Sequence, residues 1–149
     1  MSAALTPAIL QRYARQILLA PIGGAGQQKL RAATVLLHGD APLCATYLAA
    51  AGLGRLLVSG PDPELAGRDP EFRLESARPG ERADLVVSMD AGTPGDLWAG
   101  AVGRRVVVGG DPVAGTPDPA ARAVAEILAA GEAARRLIGL EPHAYDFEI

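Results

Sequence analysis

His38, Asp40, Asp62 and Asp90 are the side chains of this 149-residue chain best suited to chemistry. Each falls at or just past the end of a short apolar run that reads as a β-strand. In open α/β sheets, ligands bind outside the carboxyl ends of the strands. An imidazole with several carboxylates can hold a divalent cation or move a proton. Their spacing matches no metal motif, however, and polar residues that merely cap strand ends toward water are the simpler explanation. Ser59 and Ser88 have no His in a recognisable arrangement, so no hydrolase is indicated. Cys44 lies in an alanine-rich segment and reads as a small core residue rather than a nucleophile. Trp98 reads as a core or interface aromatic on a short helix. Arg135 and Arg136 fall in the last turn of a helix, where cations favour the dipole.

The elements that must position these residues alternate between helix and strand. Residues 6–20 read as one amphipathic helix, capped by Thr6 with Pro7 at its first position. Ile9, Leu10, Tyr13, Ile17 and Leu18 supply its apolar stripe. A second short helix covers 25–32, a strand 34–37, an Ala/Leu-rich helix 42–51 and a strand 55–59. The segment 60–70, rich in Pro, Gly and Asp, reads as loop. Short strands follow at 72–75 and 84–88, then a helix over 94–102 and a strand at 105–108. Asp118 caps a long helix from Pro119 to about Ile138, with Gly139 where a C-terminal cap belongs. Residues 145–149 alternate apolar and polar as an edge strand does. The expected fold is α/β: a doubly wound, mostly parallel Rossmann-like sheet with helices on both faces. No internal domain boundary is evident. Residues 1–149 read as one unit, with N-terminal helices over 1–32 and a Rossmann-like core over 33–149.

Composition narrows the function. The net charge is −3, with 17 acidic and 14 basic residues. Nucleic acid is not an expected partner, because phosphate binding needs a dense basic face. One cysteine excludes an intramolecular disulfide and a cysteine-only zinc site. No apolar run reaches the roughly 18 residues of a membrane span. The first residues lack the pattern of a signal peptide. A cytoplasmic location is the expectation.

The stretch from Arg12 to Asp62, RYARQILLAPIGGAGQQKLRAATVLLHGDAPLCATYLAAAGLGRLLVSGPD, carries a more specific signal. It resembles the opening of the ThiF/MoeB/HesA family, relatives of ubiquitin-activating enzymes. In that family an Arg-Tyr-x-Arg-Gln-Ile helix leads into a Gly-Gln-x-x-Leu helix. A strand and a Gly-x-Gly-x-x-Gly loop that binds ATP come next, then a helix ending Tyr-Leu-Ala-x-Ala-Gly-Val-Gly. The later runs DLVVSMDAG, RRVVVGG, AEILAAGEAARRLIGL and HAYDFEI resemble the family's following elements in order.

The resemblance implies adenylation chemistry, but the ATP loop is degenerate. Between Leu37 and Tyr47 the chain reads HGDAPLCAT, where only Gly39 survives. Phosphate oxygens need bare backbone N–H groups at a helix N-terminus. Asp40 adds like charge there and Pro42 removes a donor. Gly60 stands where the family has a ribose-binding Asp, with Asp62 as the nearest acid. Asp90 matches the family's metal-associated Asp, but its Asn neighbour has become Ala91. The phosphate-gripping crossover and the zinc knuckle are missing. Arg15 matches the arginine that, in this family, reaches across a dimer to the partner's ATP. An arginine in trans is chemically suited to phosphate oxygens; the plainer role is a surface salt bridge.

The resemblance therefore implies a catalytically inactive pseudoenzyme that acts by homo- or heterodimerisation and lends Arg15 to an active partner. Gly39, Asp40, Asp62 and Asp90 would be remnants of a nucleotide site, and no cofactor is expected. The implied partners are a second copy or a full-length ThiF/MoeB-like protein, and a ubiquitin-like carrier protein. The Ala121, Ala125, Ala129 and Ala133 face of the long helix offers a close-packing surface for such a partner. The alternative is an active adenylyltransferase with a remodelled pocket, in which Asp62 and Asp90 hold magnesium for ATP. An NAD-type binding domain ranks last, because the glycine fingerprint is damaged.

Overall fold

The computed structural model describes residues 5–149. Thr6 caps α1 (Pro7–Arg12): its hydroxyl accepts from the Ile9 N–H at 3.4 Å, and Pro7 opens the helix. The expected single helix over 6–20 is broken at Tyr13 (φ −105°, ψ 16°), and α2 (Ala14–Ile17) follows. The cause is tertiary. Tyr13 is buried and its hydroxyl donates to Asp69 Oδ2 at 2.9 Å, while Arg12 Nη1 meets Asp69 Oδ1 at 2.7 Å. Adjacent residues on a regular helix do not face one another, so bringing both to one carboxylate favours a break. Of the expected apolar stripe, Ile9 and Tyr13 are buried, whereas Leu10 and Leu18 face solvent.

The remaining elements are α3 (Gly23–Ala32), β1 (Thr34–His38), α4 (Pro42–Ala50), β2 (Arg55–Val58), α5 (Pro63–Ala66), β3 (Arg73–Ser76), β4 (Leu85–Ser88), β5 (Leu97–Val102), β6 (Arg105–Val108), α6 (Pro119–Leu137) and β7 (Tyr145–Glu148). The seven strands form one sheet in the order β3-β2-β1-β4-β5-β6-β7. Pairings from β3 through β5 are parallel, and β6 and β7 add in antiparallel fashion. This is the Rossmann-like, mostly parallel arrangement read from the sequence.

Val35, Leu37, Leu56, Val87, Leu97, Ala99, Val106 and Val108 form one buried cluster with alanines of α4 and α6. α4 packs along α6, which crosses β4, β5 and β6. The helical layer of this face is dense because its contacts are alanines. The crossovers from β3 to β4 and from β4 to β5 contain no helix. Helical cover is therefore concentrated on the α4–α6 face, and Leu36 and Val86 remain half-buried.

Three local expectations need correction. Residues 97–102 are strand, not helix. Trp98 lies on β5, and a Cβ on Gly100 would fall 2.7 Å from its ring. Residues i and i+2 share a face only in a strand, and the run is buried almost throughout. The expected loop over 60–70 contains α5, capped by Asp62, whose Oδ1 accepts from Glu64 N–H at 2.9 Å. The alanine face of α6 is not an external surface. Ala121, Ala125, Ala129 and Ala133 are fully buried against this chain's own core. The α6 termini follow the expectation. Asp118 accepts from the Ala120 and Ala121 N–H groups, and Gly139 (φ +88°) closes the helix with Leu140 N–H bonded to Arg135 O.

Candidate functional site

The strand order reverses direction at β1, between β2 and β4, which is where an open α/β sheet places a ligand. Gly39 ends β1 with φ +95°, and a Cβ there would press on Met89 Cβ at 3.3 Å. Glycine at this position is thus explained by the turn and by the close approach of the β4 end. Ala41 precedes α4, and Pro42 opens it without an N–H. The next two N–H groups, of Leu43 and Cys44, both donate to Glu126 Oε2 of α6, at 2.8 and 3.3 Å. Glu126 is 5% exposed. An internal carboxylate thus lies at the helix N-terminus, the position favoured by anions.

Arg122, one turn earlier on α6, completes the closure. Its Nη2 donates to Asp40 O at 2.8 Å and its Nη1 to Met89 O at 3.3 Å, and its Nε faces Glu126 Oε1 at 3.4 Å. One side chain ties together the ends of β1, β4 and α6. Cys44 is fully buried beside Glu126, and burial first and the nearby carboxylate second push its thiol up to about 12. Such a thiol is inert at neutral pH.

Gly39 and Asp40 form a wall between two cavities. One, of about 340 Å³, lies toward β2 and is lined by Asp62, Ser59, Gly60 and Thr46. The other, of about 460 Å³, lies toward β5 and is lined by Asp90, Trp98 and Arg122. The structure therefore brings Gly39 and Asp40 near Asp62 on one side and Asp90 on the other. Asp62 is engaged as the α5 cap. Asp90 organises its own turn, accepting from Gly92 N–H at 3.0 Å and from the Thr93 hydroxyl at 3.1 Å. The Gly92 bond first, and the Thr93 bond second, hold its carboxyl below the usual range. Ser88 is buried, with its Oγ 2.7 Å from Thr93 O. Among the described residues, no three His, Cys, Asp or Glu side chains converge as metal ligands would.

Arg15 does not join this group. It lies exposed on α2 and takes part in no salt bridge or hydrogen bond of the described residues. Its neighbour Gln16 lines a cavity at the end of α4 and the later half of α6, whereas the strand-end cavities meet the beginnings of both helices.

No family model matches the chain. It is 51% identical over 65 residues to heterocyst HesA of Trichormus variabilis, covering 41% of this chain and 24% of that protein. It is 50% identical over 52 residues to the adenylyltransferase and sulfurtransferase MOCS3 of Anopheles gambiae, covering 33% of this chain and 12% of that one. The crystal structure of PaaA superposes over 100% of this chain and 76% of its own, with a TM-score of 0.71 at 14% identity. The chain is related to the ThiF/MoeB/HesA family. The matched stretch spans about a quarter or less of these curated relatives. Among the described residues, no helix is long and apolar enough to cross a membrane.

Seen as a ThiF/MoeB/HesA-like chain, its Arg-Tyr-x-Arg-Gln motif divides by role. Arg12 and Tyr13 are consumed by Asp69, whereas Arg15 faces outward. Burial pushes the Asp69 carboxyl up, but hydrogen bonds from Glu71 N–H, Tyr13 and Arg12 together outweigh it and hold the group below the usual range. Sequence reading missed Arg122 and Glu126. Their signal was present: an i, i+4 Arg/Glu pair inside an otherwise alanine-rich helix.

Proposed function

We propose that this chain is a non-catalytic relative of ATP-dependent adenylyltransferases that works by association. It pairs with itself or with an active ThiF/MoeB-like protein, and it offers Arg15 to that partner's ATP. The observation that carries the reading is the Glu126 carboxylate on the Leu43 and Cys44 N–H groups. A phosphate arriving there would find its donors taken and would meet buried negative charge. Asp40 beside it adds to the repulsion. Among the described residues Arg15 has no hydrogen-bond or salt-bridge partner, and its guanidinium can serve a phosphate presented by another chain. A ubiquitin-like carrier protein is the expected third component when the partner is active.

The cavity at the β2 end favours a second reading, an ATP- and magnesium-binding adenylyltransferase with a remodelled pocket. Against it, Asp62 and Asp90 open onto separate cavities and both are engaged in their own turns. Calorimetric titration with ATP and magnesium separates the two. Absence of heat at millimolar ATP is expected; micromolar binding would overturn the first reading. Its association arm is tested by adding this chain to an active homologue. Stimulated pyrophosphate exchange that Arg15→Ala abolishes is expected, and stimulation unchanged by that substitution would remove Arg15 from the role.

A further inference from the structure

The cavity at the β2 end continues beyond the strand tips. Its wall includes Pro42, Ala45 and Thr46 of α4, and a further cavity, of about 300 Å³, is lined by Thr46, Ala49 and Ala50. These positions follow the three- and four-residue spacing of one side of a helix. Both cavities also touch Leu65 of α5, so they abut at Thr46 and Leu65 and make one groove along the flank of α4. From Pro42 to Ala50 that flank is about 12 Å long, from the helical rise per residue.

The two ends of the groove carry opposite charge. Asp40 and Asp62 line the strand-tip end, with no basic residue beside them in its wall among the described residues. Arg12 and Arg68 line the far end together with Asp69. Asp69 is already met by Arg12 at 2.7 Å and by the Tyr13 hydroxyl at 2.9 Å. Each end therefore keeps a free charge. Among the described residues the Arg68 side chain takes part in no salt bridge or hydrogen bond. The Asp40 carboxylate takes part in none either, since Arg122 bonds only to the Asp40 backbone carbonyl.

Between the ends the wall is apolar. Ala45, Ala49, Leu65 and Phe72 are buried, and Thr46, at the junction, donates its hydroxyl to Pro42 O at 2.8 Å. A peptide laid along this wall would leave amide groups without partners, whereas methylene groups need none. We infer that the groove binds a long zwitterion, an ω-amino acid whose ammonium meets Asp40 and Asp62, whose carboxylate meets Arg68, and whose polymethylene chain lies on Ala45, Ala49 and Leu65. The planar fork of arginine suits the carboxylate end, because it can hold both oxygens. Paired acids suit an ammonium and repel a phosphate. An extended chain advances roughly 1.3 Å per bond, so about nine bonds span the groove.

Calorimetric titration of the full chain at low salt, with ω-aminononanoate, nonanoate and nonylamine, tests this. The zwitterion is expected to bind with a Kd below about 1 mM, and each single-ended analogue about threefold to fivefold more weakly. Asp40→Asn should weaken the zwitterion and nonylamine but not nonanoate. Arg68→Gln should weaken the zwitterion and nonanoate but not nonylamine. Both side chains are exposed, so the thermal midpoints of the variants should match the wild type. ω-Aminopentanoate, too short to reach both ends, should lose the advantage of the longer zwitterion. Equal affinity for the three long ligands would overturn the assignment, because an apolar groove without charge selection would behave so. Substitutions that weaken every ligand alike would overturn it too, as would no heat at about 10 mM zwitterion. None of these outcomes bears on the association reading, which rests on Glu126 and Arg15.

Discussion

Glu126 is the side chain on which the closed site depends, and replacing it gives a quantitative test. In Glu126→Ala, the Leu43 and Cys44 N–H groups lose their acceptor, at about 1 kcal/mol each. Loss of negative charge at the α4 N-terminus adds roughly 0.5–1 kcal/mol. The i, i+4 pair with Arg122, its carboxylate buried, adds about 0.3 kcal/mol. The total is about 3 kcal/mol, which for a chain of this size lowers Tm by about 6–12 °C. Glu126→Gln keeps one carbonyl oxygen for both N–H groups and loses only the charge and its ion pair, so it should cost about 1 kcal/mol, or about 3 °C. Thermal and urea unfolding followed by circular dichroism read both. The alanine variant should also recover stability on adding inorganic phosphate, which the wild type should not, because only the variant leaves donors free for an anion. Two variants within about 0.5 kcal/mol of wild type, the scale of an unremarkable surface change, would refute the argument. So would a phosphate response equal in wild type and variant.

Four further outcomes follow from the packing. The Asp69 carboxyl is held below its usual range in the folded state. Its stabilising share is therefore present above the unfolded pKa and lost as pH falls through the folded one. Tyr13→Phe should flatten this acid limb of the urea midpoint, and an unchanged limb would count against the tether. Gly54→Ala drives a Cβ into the Arg31 carbonyl, a backbone atom that cannot swing aside, and should cost about 3 kcal/mol in urea unfolding. Cys44, fully buried with its thiol pushed up to about 12, should react with a thiol reagent only at the rate of unfolding; rapid labelling of native protein would contradict the packing. Trp98, 6% exposed, should emit at short wavelength, resist acrylamide and shift red on unfolding.

The sheet was legible because its strands are short apolar runs bounded by turn residues. Leu56, Leu57 and Val87 belong in a buried parallel strand whatever surrounds them. The α6 ends were legible for a related reason, since Asp118, Pro119 and Gly139 act within a few residues of themselves. Errors arose where a distant partner decides. The break at Tyr13 is imposed by Asp69, 56 positions away. Residues 97–102 carry enough alanine to suit a helix, and β4 captures them as a strand through Val87 and Ser88. The role of the α6 alanine face was misread for lack of the sheet it packs on.

The candidate site divides the same way. Its vacant features were readable locally: a proline opening α4, an aspartate before it and a single glycine at the turn. Its occupant was not, because Glu126 lies 83 positions from the Leu43 N–H it receives. The division also bears on how such a site is closed. Deleting glycines alone would leave the α4 donors unsatisfied at the strand ends, a cost the fold must meet somewhere. A carboxylate from α6, backed by Arg122 and its bonds to Asp40 O and Met89 O, satisfies those donors and joins two layers of the fold. On the reading proposed above, opening the site to a phosphate would then require more than glycines in the turn. A chain given a glycine-rich turn but retaining Glu126 should still fail to bind ATP, whereas the same turn with Glu126→Ala should bind it; ATP calorimetry on the two would decide, and binding by the first would show that the loop alone had closed the site.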